Sequence, residues 1–170
     1  GTEPTLRTQM KSVGEAMSIG RTFQESLQKA MRSMEIGLNG LNEVFIPGAI
    51  SDDEGSEGEV DEAVILGALN IPHVNRVLLV AQAMRHGVDV EAIHQASGFD
   101  PWFIEQLKGI VDMEKDLRHN GLPSGARALN RLKAAGFSDE RLAEIVGVNA
   151  KEIAAKRIEL DVRPVYKRVD

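Results

Sequence analysis

Two stretches of this 170-residue chain, 49 positions apart, are written on one template. The first carries Gly87-Val88-Asp89 and Gly98-Phe99-Asp100; the second carries Gly136-Phe137-Ser138 and Gly147-Val148-Asn149. Each triplet predicts a helix junction. Glycine takes the left-handed conformation that closes one helix, and Asp, Ser or Asn then accepts the free N–H groups that open the next. The apolar residue between them sits just ahead of the cap, and an apolar residue follows at the fourth helical position in every case: Ile93, Ile104, Leu142 and Ile153. That pairing is a hydrophobic staple, which fixes the angle at which the chain enters a helix. Four stapled junctions commit most of the chain to an all-α scaffold.

Composition agrees with that reading. Aromatic residues make up only 4% of the chain, while 42% is hydrophobic, which suits helices packed with Leu, Ile, Val, Ala and Met. The absence of Cys excludes disulfides, zinc–thiolate sites and thiol catalysis, and it fits a reducing compartment. The sequence shows no secretory leader and no uncharged apolar run of about 18 residues, so a cytoplasmic location without membrane contact is expected. A net charge of −6 argues against nucleic acid as a partner.

Along the chain, Gln9 to Ile19 alternates loosely, as an extended segment does. Thr22 and Glu25 form a capping box that opens a helix with Phe23, Leu27, Ala30, Met31 and Met34 on one face, ending near Gly37. Residues 39–62 read as a linker. Pro47-Gly48 punctuates it, and Ser51 to Glu62 holds seven acids and no base, the composition of a solvated loop. The acids do not complete the register of a calcium loop. His73 to His86 predicts a helix that is apolar nearly all round and therefore central. Further helices are predicted from Val90, from Pro101 to about His119, and over 124–135, 139–146 and 150–160. The expected fold is an all-α, compact bundle of about seven helices with short extended segments at both ends. The terminal one runs from Arg163 to Asp170, where Pro164 biases its predecessor away from helix.

The chemistry-bearing residues form no reaction centre. The sequence contains no phosphate loop, dinucleotide fingerprint or nucleophile elbow. His73, His86, His94 and His119 lack metal-ligand spacing. His86 and His119 fall near helix C-termini, where the helix dipole favours a cation. Trp102 and Phe103, on the first turn of a helix, read as core anchors. Catalytic, cofactor-binding and metal-binding residues are therefore assigned to no position. A helix-turn-helix nucleic-acid-binding module over 124–160 is the alternative function, since helix, Gly turn and helix follow one another there. Against it, segment 127–170 carries ten bases and seven acids without a concentrated basic face.

The ends of the chain carry a resemblance. The run Gln9-Met-Lys-Ser-Val-Gly-Glu-Ala-Met-Ser-Ile-Gly-Arg-Thr-Phe-Gln-Glu-Ser-Leu-Gln-Lys-Ala30 resembles the stretch of carbamoyl-phosphate synthetase large subunits that closes the first ATP-grasp half. Leu132 to Ala143 resembles the second helix hairpin of that family's central domain, and Pro164-Val-Tyr-Lys-Arg-Val-Asp170 resembles the approach to the second half. The resemblance implies residues 1–21 as the tail of the first ATP-grasp domain, 22–162 as a helical oligomerization domain with an acidic loop at 47–62, and 163–170 as the start of a linker. The acidic stretch departs from the family pattern. The resemblance further implies a parent ligase, present in the cytoplasm, that makes carbamoyl phosphate from bicarbonate, glutamine-derived ammonia and ATP for arginine and pyrimidine biosynthesis. ATP and Mg or Mn would serve the parent, with no cofactor in this fragment. Partners would be the flanking ATP-grasp domains, other copies of the large chain and the glutaminase small subunit. Leu27, Met31, Met34 and Leu38 are the expected interdomain or oligomer contact, because their helix adjoins the boundary segment.

Overall fold

A computed structural model describes residues 16–34, 36–50 and 58–164. The first part of the expected extended segment (9–15), most of the acidic stretch (51–57) and the C-terminal run from 165 lie outside the described residues. Eight α-helices follow in order among the described residues: α1 (Phe23–Ser33), α2 (Glu62–Asn70), α3 (Arg76–Arg85), α4 (Val90–Ser97), α5 (Pro101–Asn120), α6 (Ala126–Ala134), α7 (Asp139–Val146) and α8 (Ala150–Glu159). The all-α expectation holds. The extra helix is α2, which Pro72 separates from α3, because a proline within an apolar run removes a donor and ends the ladder.

All four template glycines have positive φ: 91° at Gly87, 69° at Gly98, 98° at Gly136 and 75° at Gly147. Each cap residue accepts the predicted bond. Asp89 takes Ala92 N–H at 2.9 Å, Asp100 takes Trp102 N–H at 2.8 Å and Ser138 takes Arg141 N–H at 2.9 Å. Asn149 and Glu152 form a reciprocal capping box. The staple residues Ile93, Ile104, Leu142 and Ile153 are all buried, each contributing about 1.5–3 kcal/mol relative to exposure. Val88 and Phe137 also close the preceding helix, donating to the carbonyls of Ala83 and Leu132 at 3.1 and 3.3 Å.

The chain divides into two compact units, with the boundary falling inside α5. The described residues of unit one are Ala16, 41–50 and 58–111. In it α2 packs against α3 and α4. Arg76 ties these helices together: Nε donates to Leu69 O at 3.0 Å, Nη2 donates to Ser97 O, and the guanidinium stands 5.3 Å from the centroid of Phe99. Helix α3 buries Leu78, Val80, Ala81, Ala83 and Met84, as its apolar composition requires. Residues 41–50 correct the linker expectation. Leu41, Ile46 and Ala49 are buried, and a turn over Ile46–Ala49 is closed by Ala49 N–H to Ile46 O at 3.1 Å, with Gly48 at φ 76°. Ile50 then bridges Val60 in antiparallel fashion, and Asp61 caps α2 through Val64 N–H at 3.1 Å. The segment is a packed strap.

The described residues of unit two are 17–34, 36–40 and 112–164. Thr22 accepts Glu25 N–H at 3.2 Å to open α1, and Lys29 pairs with Glu25 at 2.6 Å. Helix α1 then docks on the junction between α6 and α7. Gln28 Nε2 donates to Ala135 O at 3.0 Å, and Arg32 Nη1 donates to Gly136 O at 2.7 Å. Helices α7 and α8 pack on one another behind that junction, and Leu129, Leu132, Phe137, Leu142, Ile145 and Ile153 are buried in this unit.

Candidate functional site

The polar clusters of the molecule are structural in geometry. In unit two, Asp139 at the start of α7 accepts Lys133 Nζ from α6 at 2.8 Å and Arg157 Nη2 from α8 at 2.6 Å. Burial pushes the Asp139 carboxyl up, but the hydrogen bonds from Arg157 and Lys133 and their charges outweigh it and hold the group below its ordinary value. Burial first, and then the nearby charges of Arg157 and Arg32, lower the Lys133 ammonium more than its bond and attraction to Asp139 raise it. Arg157 is raised by its hydrogen bond to Asp139. Deeper in the same unit, Arg141 Nη2 donates to Glu114 Oε1 at 2.8 Å, with both side chains essentially inaccessible, and Nη1 reaches Glu144 Oε2 at 3.3 Å. A buried pair of this kind adds little net stability, while removing one partner leaves an uncompensated buried charge.

The histidines also serve local structure. His73 Nδ1 accepts Asn75 N–H at 3.1 Å ahead of α3, His94 Nδ1 lies 2.7 Å from Phe99 O, and His86 caps the C-terminus of α3 beside Gln82. His119 stands in the last turn of α5, as expected. Among the described residues no group of three or more His, Cys, Asp or Glu could hold a metal ion, and no helix is long and apolar enough to cross a membrane.

A recess of about 370 Å³ opens in unit two between the end of α5 and α6. Met113, Leu117, Pro123, Ala128 and Leu132 line it, with Asp116 and Arg131 as its charged groups. One acid and one base among apolar walls do not match a triphosphate and its metal, which need several donors and at least two ligand oxygens.

The residues expected to make an interdomain or oligomer contact are placed unevenly. Leu27 and Leu38 are half-buried, Met31 is committed to the interior at 8% exposure, and Met34 stands out at 43%. Only Met34 among them offers a large accessible apolar surface. Trp102 departs from the core-anchor expectation, being 58% exposed, because the first turn of α5 places it on the outer side. Phe103 packs edge-on to Phe99 at 5.4 Å between centroids. Sequence reasoning missed Phe45, exposed at the crest of the strap. Its signal was the apolar set Leu41, Val44, Ile46 and Ala49 around it, which a loop has no use for.

The helix-turn-helix alternative is not supported. Lys133, Arg141 and Arg157, three of the bases it would use, are drawn into ion pairs within unit two, and Lys156 pairs with Glu159 at 3.1 Å. A phosphate-binding face needs such side chains presented outward.

Comparison with known proteins places the chain in context. The family described as "Carbamoyl-phosphate synthetase large chain, oligomerisation domain" matches residues 15–161. Carbamoyl phosphate synthase large chains of Brucella melitensis and Rhizobium meliloti are 51% and 52% identical over all 170 residues. That of Myxococcus xanthus is 44% identical over 98% of the chain. The chain spans about one seventh of the length of these relatives, 14% of the first two and 15% of the third.

Proposed function

Because the chain belongs to the oligomerisation-domain family of the carbamoyl-phosphate synthetase large chain, we propose that it is a non-catalytic connector. It spaces two ATP-grasp halves and supplies a surface on which large chains associate. The parent reaction would be the ATP-dependent synthesis of carbamoyl phosphate from bicarbonate and glutamine-derived ammonia, for arginine and pyrimidine biosynthesis. ATP and its Mg or Mn would be held by the halves, and the glutaminase small subunit would join through the parent. The observation that carries the reading is where the polar residues go: caps, clasps and internal ion pairs absorb the groups that a reaction centre would require.

Residues 1–21 are assigned to the tail of the first half and 163–170 to the linker into the second. Helix α1 follows that tail directly and its outer side meets the preceding half, with the C-cap residue Met34 as the accessible anchor and half-buried Leu27 in the helix and Leu38 beyond its end contributing. Met31 supports the face from within. Hydrogen exchange compares the two settings: amides of residues 23–38 exchange more slowly in a full-length large chain than in this chain alone. Equal exchange in both would contradict the contact.

A further inference from the structure

The recess between α5 and α6 is lined on one pattern from both sides. Met113, Asp116 and Leu117 follow at i, i+3 and i+4 on α5 and share a face; Ala128, Arg131 and Leu132 repeat that spacing on α6. Each helix thus gives the recess one charged and two apolar side chains, an acid from α5 and a base from α6. Their neighbours Glu114 and Lys133 are drawn into ion pairs with Arg141 and Asp139. Asp116 and Arg131 pair neither with each other nor, through their side chains, with any other described residue. Two complementary charges therefore stand unengaged beside an apolar space of about 370 Å³.

We propose that this recess binds a free α-amino acid with an aliphatic side chain of leucine's size, its ammonium on Asp116 and its carboxylate on Arg131. The occupant follows from the lining. It must be apolar along one side and carry a cation and an anion close together, and a zwitterionic amino acid meets both needs. The planar guanidinium matches a carboxylate with two parallel hydrogen bonds. Asn120, the last residue of α5, also lines the recess, and the C-terminal end of the helix dipole favours an ammonium there. The volume lies at the small end of the range for ligand sites, about 300–1,000 Å³, which suits a single amino acid. No Ser, Thr, Cys, Lys or His among the described residues lines the space. It is a binding site, then, which adds no reaction centre to the connector reading and does not depend on it.

Saturation-transfer NMR and calorimetry with L-leucine test the site, in this chain and in a full-length large chain carrying it. Leucine binds in both settings with a dissociation constant on the order of 1 mM, as suits so small a ligand in an open recess. Isocaproate, which lacks the ammonium, and isoamylamine, which lacks the carboxylate, each bind about fivefold more weakly. Asp116→Asn weakens leucine about fivefold and leaves isocaproate unchanged, while Arg131→Gln weakens leucine about fivefold and leaves isoamylamine unchanged. Both side chains are exposed, so circular dichroism stays as in the wild type, and a merely structural loss would weaken every ligand alike. Leucine that binds wild type and variants equally would overturn the assignment. So would a lack of binding to this chain, or binding that vanishes in the large chain because a neighbouring domain fills the recess.

Discussion

At Gly136 two constraints meet, and its counterpart Gly87 shares only one of them. Both glycines close a helix with positive φ, 98° and 91°. A Cβ on Gly136 would lie 2.9 Å from Glu25 Cα and 3.1 Å from Glu25 O, because α1 crosses the junction there, whereas a Cβ on Gly87 meets nothing within 4 Å. Gly87→Ala therefore costs only the backbone strain, about 1–2 kcal/mol. Gly136→Ala adds a backbone clash that no rotamer relieves, for a total of about 3 kcal/mol or more. Denaturant midpoints of the two variants measure the difference, and equal losses would contradict the close approach. The template itself was legible in the sequence because caps and staples are made by neighbours. The added duty of Gly136 was not, since its cause lies more than a hundred residues away.

Helices α6, α7 and α8 are tied by one carboxylate, and the tie depends on pH. Asp139 is held below its ordinary value in the folded chain. As pH falls the unfolded chain takes up the proton first, so the stabilisation is complete above about pH 4 and is lost as pH falls through the folded value. Lys133 acts oppositely: burial depresses it, so its charged form opposes folding until alkaline pH removes the charge. Asp139→Asn should lower stability at neutral pH by about 1–3 kcal/mol, since it weakens bonds to two cations, and should flatten the acid limb of a melting-temperature profile. An unchanged acid limb would contradict the role. At this scale the sequence was read unevenly. Helices with caps and period were found, but the strap at 41–50 was not, because Leu41, Ile46 and Ala49 follow neither a helical nor a strand period between their turn residues. The pair Glu114–Arg141 spans 27 positions and leaves no local signal. Trp102 was misplaced because residue type fixes hydrophobicity, while packing decides which side of a helix turns inward.

For the whole molecule, the doubled junction gives each compact unit its own stapled corner: α3–α4 in unit one and α6–α7 in unit two. Staples fix the angle at which the chain enters each helix, a rigidity that the proposed connector role would use. Polar groups among the described residues clasp the helices within each unit, and large apolar side chains stand exposed in both, Phe45 in unit one and Met34 in unit two. The most direct measurement is sedimentation velocity of this chain over a concentration series, with and without saturating MgATP. The account predicts a weight-average sedimentation coefficient that rises with protein concentration along the same curve in both conditions. A monomer at every concentration, or a curve displaced by MgATP, would contradict it.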